Sequence, residues 1–273
     1  MMNRVILLDA DIPIFRYSAV NQRDIVWDEG ADSVAVNPPF EMVADQVDAH
    51  IEELADTLEA DRIIICLSEP VREKNWRKGI LPTYKDNRKN TKSPEYRQRL
   101  SDYLEEHYEC YKKPTLEGDD VMGILATNPD IVKGKKVIVS QDKDMKTIPT
   151  RIFKGKSANW LFNPDNDKKP RKVTESEADW FWMMQTLMGD TTDGYSGCPW
   201  VGEKKARDAL GEPQDGHLSL WWDLVVDTYE NATRKGENLG LGVEDALVQA
   251  RVARICRTED YDFNKQETIP WTP

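Results

Sequence analysis

The sequence predicts an α/β fold: a central, mostly parallel sheet flanked by helices, with a helical module behind it. Three short runs, Val5 to Leu8, Arg62 to Leu67 and Val137 to Ser140, are apolar on both faces, as strands covered by helices on both sides read. Helical patterns separate these runs, the alternation that builds a parallel sheet. From Ser176 onward almost every pattern is helical.

In chain order, Val5 to Leu8 is a buried strand ending at Asp9. Met42 to Leu58 carries Val43, Val47, Ile51, Leu54 and Leu58 at helical spacing. Arg62 to Leu67 is the second strand. Pro94 opens a helix that runs to Tyr108, and Glu117 to Ala126 is a short helix preceded by Pro114. Val137 to Ser140 is the third strand. Trp180, Trp182, Met183, Met184, Leu187 and Met188 recur at helical spacing and are expected in a core rather than against a cofactor. Trp221, Trp222 and a helix from Val243 to Ile255 close the C-terminal module.

The 273 residues hold 37 Lys and Arg against 49 Asp and Glu, a net charge of −12 that argues against a uniformly basic nucleic-acid coat. No apolar run approaches the ~20 residues of a membrane span, and Asp9 and Asp11 cut short the first one, so a soluble cytoplasmic protein is expected. Cys66, Cys110, Cys198 and Cys256 lie far apart with no CxxC, which reads as free thiols in a reducing compartment. His50, His107 and His217 are isolated. Catalysis must then rest on carboxylates, lysines or metal.

Charge along the chain is segregated. Between Arg72 and Arg99 ten basic residues face three acidic ones, and Trp76, Tyr84 and Tyr96 are interleaved with them, a pattern suited to gripping a single strand of nucleic acid. The acids, in turn, cluster where elements end. Asp9 and Asp11 follow the first strand, Ser68 and Glu69 the second, Asp142 and Asp144 the third. Glu117, Asp119 and Asp120 open a helix, and Asp190 and Asp193 end another. Ligands of an open α/β sheet bind at the carboxyl ends of its strands, so these loops can converge on one crevice. Two like charges ~4 Å apart repel by roughly 4 kcal/mol at an effective dielectric near 20, so either protons or divalent cations must neutralise the cluster. Mg²⁺ or Mn²⁺ suits an all-oxygen donor set, and two ions ~4 Å apart suit phosphate-ester hydrolysis. Directly after Asp193, Gly197 and Gly202 bracket a turn that opens a helix bearing Lys204 and Lys205, a place where backbone N–H groups can meet a phosphate.

Five ordered motifs, Leu8-Asp9-Ala10-Asp11, Pro82 to Arg88, Leu116 to Val121, Ser140 to Asp144 and Gly189 to Asp193 with its glycine turn, resemble those of the 5′-nuclease superfamily of flap endonucleases and polymerase 5′-nuclease domains. The longer matches look closest to the 5′→3′ exonucleases of podovirus-type bacteriophages. The resemblance implies a PIN-like nuclease core over residues 1–195, with a helical arch at about 70–113, and a helix–hairpin–helix module over 196–273. It implies that Asp9, Glu117, Asp119 and Asp120 hold or orient one metal ion and that Asp142, Asp144, Asp190 and Asp193 hold a second. Glu69 stands where the family usually has an aspartate. Asp9, Asp120, Lys85 and Arg88 are expected in the reaction itself. Arg72, Arg77, Lys78, Tyr84, Lys85, Arg88 and Lys89 are expected on DNA through the arch, and Gly197, Gly202, Lys204 and Lys205 through the hairpin, with K⁺ as a further cofactor there. The implied activity is Mg²⁺- or Mn²⁺-dependent 5′→3′ hydrolysis of duplex or 5′-branched DNA, with flap cutting and removal of RNA from RNA/DNA hybrids as companions. The implied setting is a monomer beside replication proteins in a phage-infected host cytoplasm.

Two rivals fit parts of the pattern. Asp9-Ala10-Asp11 after a strand also imitates haloacid-dehalogenase-type phosphatases, with Asp9 as a covalent nucleophile; Pro13 stands where that family expects a hydroxyl or valine, and the basic segment is left without a role. A structure-specific DNA-binding protein without catalysis is the second rival, against which the intact carboxylate set counts.

Overall fold

The computed structural model describes residues 3–25, 34–88, 92–154 and 169–273. Strand β1 (Arg4–Asp9) leads into helix α1 (Asp11–Asn21) and a small antiparallel ribbon, β2 (Arg23–Ile25) with β3 (Val34–Val36). Helix α2 (Phe40–Leu58), β4 (Arg62–Cys66), α3 (Arg97–His107), β5 (Cys110–Tyr111), α4 (Gly118–Thr127), β6 (Lys135–Val139), β7 (Arg151–Phe153) and β8 (Arg171–Lys172) follow. The main sheet runs β5-β4-β1-β6-β7-β8, parallel except for β8. The C-terminal part is helical: α5 (Glu175–Met188), α6 (Glu203–Leu210), α7 (Leu218–Glu230) and α8 (Val243–Ala253).

β1 lies at the centre, pairing Leu7 with Ile64 of β4 on one side and Ile138 of β6 on the other. Its alternate side chains feed two cores. Val5 and Leu7 pack with α4 and the returning segment Ile255-Cys256, while Ile6 and Leu8 pack with α2 and α3. The chain passes from β1 to β4 on one side and places β6 on the other, so the direction of winding reverses at β1 and leaves a crevice at the carboxyl ends. Gly123 lets α4 approach the C-terminal segment: a Cβ there would lie 2.2 Å from the Cys256 carbonyl oxygen.

Two features bear on the organisation of the chain. Trp180, Trp182, Met183, Met184 and Leu187 of α5 share one core with side chains of α6, α7 and α8. In the described residues of 70–113 the backbone forms short turns, helix α3 and the short strand β5. Arg72–Lys74, Trp76–Gly79 and Asp86–Arg88 are single 3₁₀ turns, and α3 lies against the core with Leu100 and Leu104 buried. The cause is in the sequence of the turns: Arg77 and Tyr84 are interior side chains that pull the segment onto the body.

Candidate active site

A cleft of about 650 Å³ opens at the carboxyl end of the sheet, lined by acids from six places in the chain. β1 supplies Asp9, α1 supplies Asp11, the loop after β4 supplies Glu69, the start of α4 supplies Glu117 and Asp119, and the loop after β6 supplies Asp142; Asp193 joins them from the loop after α5. Ser140 Oγ donates to Asp9 Oδ2 at 2.7 Å and accepts from the Asp142 N–H at 3.0 Å, tying two of these acids to one hydroxyl. Ser68 Oγ donates to Asp11 and accepts from the Gly118 N–H at 2.8 Å, which links β4 to the α4 start.

Two basic groups of the cleft are hydrogen-bonded to its acids. Lys85 Nζ donates to Glu117 Oε1 at 2.6 Å, and Arg88 donates to Asp193 Oδ1 at 2.8 Å. Lys85 adopts φ +55°, an unfavourable conformation for a side-chain-bearing residue, held by its N–H to the Asp193 carbonyl at 2.8 Å. The Tyr84 hydroxyl lies 2.9 Å from Glu117 Oε2 and 3.1 Å from Asp193 Oδ2, and it donates to one of them.

Proton affinities divide the acids into two kinds. Burial acts on Glu117 in the opposite sense, yet Lys85 and Arg77 hold it down at about 2. Burial, then the charge of Asp11, pushes Asp9 up to about 7 despite the Ser140 hydrogen bond. Burial followed by repulsion from Asp142 raises Asp144 to about 7. Asp119 is raised well above the usual carboxylate range by burial and then by Asp9, Asp142 and Glu117. Asp9, Asp119 and Asp142 therefore form a mutually repelling group next to a cation-paired one.

Asp9 and Asp144 thus bind protons more tightly in the native chain than in the unfolded one, where a carboxyl titrates near ~4. Their contribution to stability is fully present below ~4 and is lost as pH rises through about 7. Unfolding followed in EDTA between roughly pH 4.5 and 8 is expected to show this loss, and Mg²⁺ is expected to reduce it. A slope unchanged by Mg²⁺ contradicts the assignment of these acids to cation binding.

Several expected site residues are engaged within the protein, although Lys78 and Tyr84 also line the cleft. Asp120 is 0% exposed and faces the interior: its carboxylate accepts from both terminal nitrogens of Arg77 at 2.7 and 2.8 Å, from Trp76 Nε1 at 3.0 Å and from the Cys256 and Glu117 N–H groups at 3.0 and 3.2 Å. All five donors come from the protein itself. Arg77, expected on DNA, is 2% exposed and also donates to the Val252 and Arg254 carbonyls. Tyr84 is 2% exposed, with its ring in the C-terminal core. Lys78 binds the Tyr84 carbonyl at 2.9 Å and Asp86 at 2.8 Å, closing its own loop. Gly197 does not present its N–H to a phosphate; it donates to Gln249 Oε1 at 2.9 Å, and at φ +64° it sits against Gly189 where no Cβ fits. Asp144 and Asp190 stand outside the lining of the cleft, the first held by Gln185 and the second by Lys143. Arg72 and Arg88 line the cleft, while Gly202, Lys204 and Lys205 are exposed at the start of α6. Lys89 lies outside the described residues. Asp11 and Ser68 stand in strand-end loops expected to converge on the crevice, without an assigned role; Ser140 and Gln185 were not expected at the site, and Ser140 was readable as a polar residue at a strand end.

Among the described residues no three His, Cys, Asp or Glu side chains close into a cage able to hold an ion. An open, all-oxygen cleft fits a hard divalent cation that keeps several waters, and the repulsion among Asp9, Asp119 and Asp142 supplies the demand for positive charge.

The family model for a 5′-3′ exonuclease, N-terminal resolvase-like domain, matches residues 4–170. The exodeoxyribonuclease of Enterobacteria phage T3 is 30% identical, covering 98% of this chain and 93% of its own length. This chain belongs to the 5′-3′ exonuclease family. The exonuclease of Escherichia phage T7 is 29% identical over the same shares. The phage T5 D15 protein co-crystallised with metal ions superposes with a TM-score of 0.56 at 16% identity, covering 92% of this chain and 86% of that one. T5 D15 flap endonuclease in a pseudo-enzyme–product complex with DNA and metal ions gives 0.53 at 15% identity, covering 92% and 99%. These two likenesses concern the fold. Family membership bears out the resemblance carried by the five motifs and overturns the haloacid-dehalogenase reading. The family is one of 5′→3′ exonucleases and flap endonucleases, phosphodiester hydrolases that include phage enzymes. Among the described residues no helix is long and apolar enough to cross a membrane.

Proposed function

We propose that this chain removes nucleotides from the 5′ ends of duplex or 5′-branched DNA with the help of divalent cations bound in the carboxylate cleft. The observation that carries the reading is the juxtaposition of Asp9, Asp119 and Asp142, which repel one another, with Lys85 and Arg88, which stand beside them in one cleft. Asp9, Asp119 and Asp142, with Glu69 and Asp11 at the rim, are the groups for one Mg²⁺ or Mn²⁺ ion; Asp144, Asp190 and Asp193 are the groups for a second. Bound ions there supply activation of water and neutralisation of the charge that develops on phosphoryl oxygens.

The protein's own groups do the positioning. Lys85 and Arg88, held by Glu117 and Asp193, offer preorganised positive charge to a phosphate entering the cleft. Arg72 extends that charge along the wall, and Ile12, Phe15 and Val20 of α1 give an apolar face for sugar and base. Lys204 and Lys205 at the start of α6 face solvent and serve duplex phosphates farther from the reaction. Arg77, Lys78 and Tyr84 act by holding the wall in place.

The experiment is digestion of a 5′-labelled duplex beside a 5′-flap substrate with sizing of the labelled products. Short labelled products from both, formed only with Mg²⁺ or Mn²⁺, are the expected result. Label retained on long fragments from the duplex, with cutting inside the strand, overturns the exonuclease reading. Hydrolysis undiminished in EDTA overturns the cation-dependent one.

A further inference from the structure

We propose that Lys143 is a resident counter-cation: its ammonium holds Asp190 in the ion-free enzyme and gives way when the second divalent ion binds. The inference rests on the two-ion reading above and assigns the second site a built-in competitor.

Lys143 lies between two expected ligands in the sequence Asp142-Lys143-Asp144, yet its Nζ reaches across to Asp190 Oδ2 at 2.6 Å. Asp190 is 8% exposed. Its other oxygen is already fixed, accepting from the Thr192 N–H at 2.7 Å and the Asp193 N–H at 3.3 Å. One oxygen is thus anchored to the loop while its twin meets the lysine. The Lys143 side chain is 55% exposed, so it can withdraw into water without disturbing the core. A lysine suits such exchange because its ammonium is a hydrated point charge on a flexible stem, with no planar fork to lock it to a carboxylate.

A second observation marks the same place as incomplete. Gln185 is 2% exposed, and its Nε2 donates to Asp144 Oδ1 at 2.6 Å. Its Oε1 is buried with no hydrogen-bond partner among the described residues. A buried acceptor beside an expected ligand needs a donor, and water carried by a bound ion is such a donor. Lys143 supplies positive charge at Asp190 and no donor to Gln185 Oε1.

The test is Mn²⁺ binding to the full chain without DNA, counted from the free Mn²⁺ signal in electron paramagnetic resonance. The unaltered protein is expected to show a tight and a weak class of site. Lys143→Met is expected to tighten the weak class about fivefold, the scale of one partly exposed ion pair, and to leave the tight class in place. Its melting temperature is expected to fall in EDTA, where Asp190 loses its partner, and to recover in Mn²⁺. Gln185→Leu is expected to weaken the weak class by about tenfold or more. A weak class with the same affinity in Lys143→Met overturns the proposal while leaving two ions in place. A single class in both proteins overturns the two-ion reading itself, and the proposal with it.

Discussion

Replacing Arg77 by Met lowers the stability of the fold by about 3–5 kcal/mol, the scale of leaving a buried charge without its partner. The guanidinium binds both oxygens of Asp120 and the carbonyls of Val252 and Arg254, so one side chain ties the cleft wall, the start of α4 and the C-terminal segment together. In the variant Asp120 keeps Trp76 and two backbone donors but loses the only cation hydrogen-bonded to it among the described residues. Urea unfolding measures the loss. DNA affinity, read by fluorescence anisotropy where the variant is still folded, is expected to change little, because Arg77 is not on the surface. Unchanged stability with a large loss of affinity contradicts this placement and returns Arg77 to the binding face.

The second large effect is at Asp119. Asp119→Asn is expected to slow hydrolysis by about 10²–10³-fold, the scale of removing one group that stabilises developing charge in the transition state. The same change is expected to stabilise the ion-free protein near neutral pH. Burial and three neighbouring carboxylates raise the proton affinity of Asp119, so its ionised form costs stability that a neutral amide does not. Opposite signs for rate and stability separate a ligand from a structural residue. Asp120→Asn is expected to lose stability, since its charge is already compensated. The rate is measured with saturating Mg²⁺ and stability by thermal unfolding in EDTA. An Asp119→Asn protein that is as active as the parent contradicts the assignment.

The adjacent pair Asp119 and Asp120 also shows what the sequence could and could not tell. Their shared position at a helix start was legible from Pro114 and the apolar run to Ala126. Successive residues on a helix point about 100° apart, so one can face the cleft while its neighbour faces the core. A signal for the inward one was present: Asp120 lies on the stripe of Gly123, Ile124 and Thr127, where α4 meets the C-terminal segment. The three central strands were legible because each is apolar on both faces. β5, β7 and β8 have two or three residues each, too few for any period to show. Helix α1 was missed because its burial rests on Pro13, Ile14 and Ser18, which make no apolar stripe. The basic segment was legible as composition only. Which cations turn inward depends on partners far along the chain, such as the Val252 carbonyl 175 residues from Arg77.

The sheet also explains why the net charge of −12 and a nucleic-acid substrate are compatible. Part of the acid stands at the strand ends in the cleft, where cations can neutralise it, and Arg72 of the cleft wall and Lys204 and Lys205 of α6 are exposed bases. Asp9 and Asp142 are joined through Ser140, so the loop carboxylate is tied to the one at the end of β1.

The assignment of the cleft is tested most directly by anomalous diffraction from crystals of the protein grown with Mn²⁺. The expected result is strong anomalous density between Asp9, Asp119 and Asp142, a weaker peak beside Asp144 and Asp190, and none at Asp120. Density at Asp120, or its absence from the cleft under saturating Mn²⁺, contradicts the account.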